Sequence, residues 1–325
     1  MSMLLIGLSL ICAINVQAFD PFSISAALSA IDYSTMKKYT FCKFKECCQE
    51  PYLISEVNSL KKELTENLYG QHIVVDTLVN AIGSHLRNQE SSRKPLVMSF
   101  HGPAGTGKNY VSDFIVGALY SKGFESKFVH KFNAFDEQII NLRLHHSIKD
   151  AIYQCPNSLF IFDEVEKMPE GIFDSLVSLL DSHAFYKQHD FTKAIFIFLS
   201  NSGGAEISQK LKSLVEKGQW RDNTKLPDFE RIVEMSAYNM IGGMHRARII
   251  EAHVIDHFIP FLPLESRHVE MCIKKEFLKY CRANPSSEAV SSLLKAIMTL
   301  DDTGMFSNNG CKRISKKVEA YCYNH

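Results

Sequence analysis

The chain has 325 residues, 46% of them apolar and 22% charged, and its 36 basic and 36 acidic side chains cancel to a formal net charge of zero. This composition excludes global disorder and leaves room for one large domain and a smaller one. The charge balance argues against a nucleic-acid-binding surface, which carries a basic excess.

From the amino terminus, "MSMLLIGLSLICAINVQA" contains no charged side chain, and its apolar run from Met3 to Val16 ends in Val16-Gln17-Ala18. This predicts a secretory signal over 1–18, cleaved after Ala18. Residues 19–50 follow as a short apolar segment and a cysteine-rich region. The apolar piece, Phe22–Ile31, is too short to cross a bilayer, which takes ~20 residues, but suits one leaflet or the membrane surface. Of nine cysteines, Cys12 leaves with the signal, and the other eight are Cys42, Cys47, Cys48, Cys155, Cys272, Cys281, Cys311 and Cys322. In an oxidising compartment disulfides are their default state, and the Cys-x-x-Cys spacing of a zinc site is absent. There is no Asn-x-Ser/Thr glycosylation sequon. The chain ends Tyr323-Asn324-His325 without a Lys-Asp-Glu-Leu-type signal, so retention in the secretory pathway would rest on membrane contact or a partner.

Residues 51–264 read as an α/β domain. "PLVMSF" is a buried strand running into a glycine loop, and Lys108 to Ser121 suits a helix. "KFVHKF" (Lys127–Phe132) is a second strand, Gln138 to Gln154 a helix, and "SLFIFDE" (Ser158–Glu164) a third strand. Near-continuous apolar strands are expected inside a parallel sheet. Pro169 opens a predicted helix to Asp181, with Ile172, Phe173, Leu176, Leu179 and Leu180 on one face. "KAIFIFLSN" (Lys193–Asn201) is a fourth strand. The alternation predicts a doubly wound sheet. After "IPFLPL" (Ile259–Leu264) the texture becomes helical. Glu265–Arg282, Ser286–Leu300 and Cys311–Tyr323 read as three helices of a small lid, 265–325.

Four elements carry chemistry. The stretch Gly102-Pro103-Ala104-Gly105-Thr106-Gly107-Lys108-Asn109-Tyr110 follows a strand and opens a helix. Its glycines let backbone N–H groups cradle phosphates at a helix N-terminus, and Lys108 would reach the β- and γ-phosphates. Position 109 normally carries a Mg²⁺-binding hydroxyl; the Asn109 amide oxygen can serve directly or through water, as a weaker ligand. Asp163 and Glu164 end the third strand, where one carboxylate can hold Mg²⁺ and its neighbour can polarise a water. Asn201 ends the fourth strand, where an amide could orient that water. Lys312, in "GCKRI" (Gly310–Ile314), opens a lid helix and could touch a nucleotide from above.

In this order the four elements resemble the Clp-type branch of the AAA+ ATPases, a P-loop NTPase core with a parallel sheet followed by a helical lid. The match narrows to the torsins on Gly-Lys-Asn in the phosphate loop, "FIFDE", "AIFIFLSN", "FIPFLPL", Gly-Cys-Lys and "FCKFKECC" after a signal sequence. The resemblance covers the chain from about Phe41. It implies ATP and Mg²⁺ as cofactors, with the phosphate loop binding ATP and Asn109 and Asp163 at the metal. Glu164 would be the water-activating base, and Asn201 and Lys312 the two sensors. "LYGQHIVVDTLVNAI" (Leu68–Ile82) would lie against the adenine. It also implies a redox-sensing pair, Cys272 and Cys311, and a structural bridge from Cys155 to one of Cys42, Cys47 and Cys48.

Departures matter as well. Clp-type enzymes carry an arginine finger where this chain reads His253-Val254-Ile255-Asp256, and torsins lack it too. An absent finger costs ~10³–10⁵ in rate in related phosphate chemistry. The resemblance therefore implies an arginine borrowed from the lumenal domain of a membrane-bound activator at the inner nuclear membrane or endoplasmic reticulum. An aromatic-glycine pore loop is not evident between Phe132 and Ser158. The apolar segment is broken by Ser23, Ser25 and Ser29. The implied protein is an ATPase of the endoplasmic reticulum lumen and perinuclear space, a homo- or hetero-oligomer that remodels protein or membrane assemblies, with peripheral membrane association open. A scaffold gated by nucleotide with negligible hydrolysis and a self-sufficient Clp-like chaperone are the alternatives.

Overall fold

The computed structural model describes Cys42 and residues 45–136, 143–181, 185–186 and 189–324. The expected signal, the apolar segment 22–31 and the start of the helix expected from Gln138 lie outside the described residues. The chain divides into two compact units, 1–47 and 48–325. In the first, Cys42 and Cys47 form a disulfide across five positions. All that follows concerns the second.

Its centre is a five-stranded sheet of β1 (Leu96–His101), β2 (Val129–Phe132), β3 (Leu159–Phe162), β4 (Ile195–Ser200) and β5 (His257–Pro260). The spatial order is β2-β3-β4-β1-β5, and every pairing is parallel. Every residue of β1, β3 and β4 is buried. Alternation sends successive side chains to opposite faces. Val97, Phe160, Phe162, Phe196 and Phe198 join one core cluster; Leu96, Met98, Phe100, Ile161, Ile195 and Ile197 join the other. On the first face phenylalanines stack across neighbouring strands, Phe132 on Phe162 at 5.3 Å, Phe162 on Phe198 at 4.9 Å and Phe160 on Phe196 at 4.7 Å. Such pairs add to area burial and hold the strands in register.

The helices α1 (Val57–Asn67) and α2 (His72–Arg87) precede β1. Beyond it come α3 (Lys108–Leu119), α4 (Leu144–Gln154), α5 (Gly204–Glu216) and α6 (Glu230–Asn239). Two elements differ from expectation. The helix expected from Pro169 to Asp181 is instead a turn, a 3₁₀ piece at Asp174–Leu176 and one α-turn at Val177–Leu180. Gly171 takes a φ of +75°, outside the right-handed helical region, which breaks the run. Its apolar residues are buried all the same. Conversely, the prolines of "IPFLPL" mask a strand. β5 pairs with β1 alone, so Pro260 needs no amide hydrogen toward a second neighbour.

After Leu264 come α7 (Ser266–Tyr280), α8 (Ser287–Ile297) and α9 (Ile314–Asn324), which share their own core of Val269, Ile273, Val290, Leu293, Ile314 and Val318. The Ser286 side chain accepts the amide hydrogen of Ala289 and caps α8. Two disulfides tie α7 to the carboxyl-terminal helix region, Cys272–Cys311 and Cys281–Cys322. Buried Arg221 locks the base of this layer, donating to the carbonyls of Pro263 (2.7 Å) and Gly70 (2.6 Å).

Cys48 pairs with Cys155, so of the three candidates left open it is Cys48 that bridges. That bridge closes 107 positions, against five for Cys42–Cys47. Loop-closure entropy makes the long bridge worth about 4.7 kcal/mol and the short one about 2 kcal/mol. Cys48→Ala is expected to lower the denaturation midpoint well beyond Cys42→Ala, measured by urea unfolding of the oxidised protein. Equal losses would contradict the assignment.

Candidate functional site

The carboxyl ends of the central strands open onto one cleft of about 340 Å³. Ligands of open α/β sheets bind at this edge. Ala104 to Tyr110, Asp163, Glu164, Asn201, Cys272, Cys311 and Lys312 all line it, although they come from five regions of the chain. Gly102 and Pro103 form the base of the loop. Within the same unit, the Cys48–Cys155 and Cys281–Cys322 bridges stand outside this lining.

The loop owes its path to glycine. Gly105 and Gly107 have φ of +77° and +107°. At Gly105 a Cβ would run into the Asn309 carbonyl, and at Gly310 a Cβ would run into Gly105 itself. The lid therefore touches the loop backbone to backbone, and the Cys311 amide donates to the Gly105 carbonyl at 3.0 Å. Buried Gln71 braces the other side, donating to the Thr106 and Leu262 carbonyls and accepting from the Leu262 amide.

Lys108 is buried, and its ammonium donates to the carbonyls of Gly102 (2.7 Å) and Pro103 (2.9 Å). Burial pulls its pKa down to about 8, opposed by the nearby carboxylates of Glu166 and Asp163. Behind it, fully buried His101 lies between the hydroxyls of Ser99 (2.6 Å) and Ser202 (2.7 Å). Burial holds its pKa down at about 3, so the ring is neutral.

Asn109 donates its amide to Asp163 at 3.0 Å, and Lys131 pairs with the same carboxylate at 2.9 Å. This donor set fits Mg²⁺: one carboxylate with one amide oxygen beside a phosphate loop, the remaining ligands being phosphate and water. To use its oxygen, the Asn109 amide must turn over. Among the described residues no group of three or more His, Cys, Asp or Glu side chains forms a metal cage.

Glu164 sits at φ +55°, a left-handed conformation uncommon outside glycine, and its carboxylate pairs with Lys167 at 2.7 Å. Asn201 donates its side-chain amide to Glu166 at 2.7 Å. On the opposite wall Lys275 donates to the Tyr110 hydroxyl (2.7 Å) and to Asn67 (2.6 Å). Lys131, Glu166, Lys167 and Lys275 carry no motif signal, and only the fold reveals them. Val254, at the arginine-finger position, is buried in the core, its carbonyl held by Lys94.

The depressed Lys108 pKa has a signed consequence. A bound polyphosphate keeps the ammonium charged, whereas in the free protein it loses its proton near pH 8. Above pH 8 binding must therefore take up a proton, and ATP affinity is expected to fall by up to about tenfold per pH unit. Lys108→Arg, whose guanidinium stays charged, removes that slope. Calorimetry in buffers of different ionisation enthalpy measures the uptake; a flat wild-type profile from pH 7.5 to 9.5 would refute it.

Comparison with known proteins places this geometry. The family model for Torsin matches residues 42–162. A "Torsin-like protein" of Drosophila melanogaster is 41% identical over 332 residues, covering 98% of this chain and 97% of the relative. One of Caenorhabditis elegans is 36% identical over 305 residues, covering 90% and 85%. Among solved structures, the S. cerevisiae Hsp104:casein complex in its extended conformation superposes with a TM-score of 0.55 at 16% identity, over 93% of this chain and 50% of that one. The S. cerevisiae Hsp104-ADP complex does so with the same score and identity over 88% and 49%. The chain thus spans about half the length of Hsp104, an AAA+ protein whose fold it shares.

Proposed function

The chain belongs to the torsin family of AAA+ proteins, and from that premise we propose that it is a Mg²⁺-dependent ATPase of the endoplasmic reticulum lumen and perinuclear space. The observation that carries the reading is the meeting of the phosphate loop, the Asp163–Glu164 pair, Asn201 and Lys312 around one cleft. In this reading the loop amides and Lys108 hold the phosphates, Lys108 leaving the two loop carbonyls it now contacts. Asn109 and Asp163 hold Mg²⁺, which neutralises phosphate charge. Glu164, released from Lys167, accepts a proton from the attacking water; Asn201 orients that water; Lys312 contacts the nucleotide from the lid.

Val254, which stands where Clp-type enzymes carry the arginine finger, is committed to the core and offers no cation. The missing arginine would come from the lumenal domain of a membrane-bound activator. Homo- or hetero-oligomerisation, peripheral membrane association and remodelling of protein or membrane assemblies belong to the same reading. A nucleotide-gated scaffold is favoured by one observation: each acidic or amide group of the site already has a protein partner.

Turnover of ATP by the mature chain, alone and with an activator's lumenal domain, separates the two. Low basal turnover raised at least ~10³-fold by the activator is expected, and Glu164→Gln should abolish it while ATP still binds. Tight ATP binding with no stimulation would favour the scaffold. The Cys272–Cys311 bridge, in the cleft wall next to Lys312, supports a second expectation. Reduction should change nucleotide affinity in the wild type and have no effect in Cys272→Ser. A response that survives in the variant would sink the redox role.

A further inference from the structure

Both carboxylate oxygens of Glu166 are engaged with the end of β4. One accepts from the Asn201 side-chain amide at 2.7 Å and from the Asn201 backbone amide at 3.3 Å; the other accepts from the Ser200 hydroxyl at 3.0 Å. An ionised carboxylate only accepts, so it can hold the nitrogen end of the Asn201 amide and never its oxygen. Gripping side chain and backbone of one residue together also fixes the side-chain torsions. We propose that Glu166 is a positioning residue for hydrolysis: it orients Asn201 so that the amide oxygen and the second N–H face the cleft, where water and the terminal phosphate meet.

The platform beneath Glu166 is stiff. Gly242, at φ +122°, lies so close that a Cβ there would collide with the Glu166 carbonyl, and the Gly243 amide donates to the Val165 carbonyl at 3.0 Å. These contacts fix the backbone from which the Glu166 side chain reaches Asn201.

A buried relay reaches the same carboxylate from behind the phosphate loop. The Ser200 hydroxyl is within donating distance of both Glu166, at 3.0 Å, and the Ser202 hydroxyl, at 2.9 Å. Ser202 in turn lies 2.7 Å from His101 Nδ1, and His101 Nε2 lies 2.6 Å from the Ser99 hydroxyl. His101 is the residue immediately before Gly102. The relay therefore ties the floor of the phosphate loop to the sensor amide, with Glu166 as its terminal acceptor.

This role rests on the ATPase reading, and an equilibrium measurement tests the two separately. The readout is the ratio of affinities for a non-hydrolysable ATP analogue and for ADP, which reports contact with the terminal phosphate. Asn201→Ala should lower that ratio by roughly tenfold. Glu166→Ala should lower it as far, and Glu166→Ala with Asn201→Ala no further than either alone. Glu166→Gln, which keeps an oxygen for Asn201 but cannot accept at both ends, should fall between and covers the case in which the alanine variant does not fold. Activator-stimulated kcat/KM should fall, with KM for ATP rising as the contact to the terminal phosphate is lost. If Glu166→Gln and Glu166→Ala lower both affinities or the melting temperature while the ratio stays at the wild-type value, the carboxylate is merely structural and the proposal is overturned. If the wild type binds neither nucleotide, the ATPase reading falls, and this role with it.

Discussion

The closest approach in the site is between two backbones. Gly105 of the phosphate loop and Asn309-Gly310 of the lid lie against each other with no room for a β-carbon on either glycine. A single amide–carbonyl bond, Cys311 to Gly105, closes the contact. Everything functional in the cleft depends on it. The loop supplies phosphate-directed amides from one side, and the lid can supply Lys312 from the other only because the chain between them has no thickness. The same proximity places the Cys272–Cys311 bridge one residue from Lys312. For the proposed redox role, this adjacency means that no long-range transmission is needed between the cysteine and the lysine.

The charge arrangement follows a single logic. A lysine buried beside a phosphate loop is costly unless acceptors surround it. Here Lys108 has two loop carbonyls, with the Asp163 and Glu166 carboxylates near enough to oppose the loss of its proton. The other groups are matched in the same way: Asn109 with Asp163, Asp163 with Lys131, Glu164 with Lys167, Asn201 with Glu166. In the proposed ATPase two of these pairings must open, Asn109 turning its oxygen to the metal and Glu164 leaving Lys167, whereas Asn201 can keep its bond to Glu166 and still present its oxygen. Exposed pairs such as Glu164–Lys167 are weak in water, so a bound triphosphate can displace them.

Much of this was legible in the residues alone, for physical reasons that also explain the failures. β1, β3 and β4 are buried on both faces, so each writes an unbroken apolar run, and the glycine loop after β1 has no competing reading. The AAA+ core was legible on that basis. β5 escaped notice because an edge strand tolerates the prolines that elsewhere argue against a strand. The helix from Pro169 was overcalled because periodicity survives at Ile172, Phe173, Leu176 and Leu179 while Gly171 breaks the backbone. Cys42, Cys47 and Cys48 are too close in sequence for spacing to choose a partner for Cys155. Glu166 was invisible for a different reason: it acts through β4, 35 positions away, and no local pattern encodes that contact.

Val254 is the clearest case of packing constraining chemistry. Its side chain belongs to the core cluster that includes Ile249, Ile250, Ile255 and Phe258, and its carbonyl accepts from Lys94. Lys94 also pairs with Asp256 at 2.6 Å, and the Asp256 carboxylate accepts from the Val97 amide at 2.9 Å. This small network sets the approach of β5 to β1, which in turn seats Phe261 against Gly102 at the start of the phosphate loop. An arginine at 254 would have to bury a guanidinium among those side chains or pull the segment out of the core. A buried unpaired charge of that kind costs several kcal/mol. The segment leading into β5 thus serves the sheet and the loop it supports, and the proposal of a finger on a separate protein is compatible with that packing.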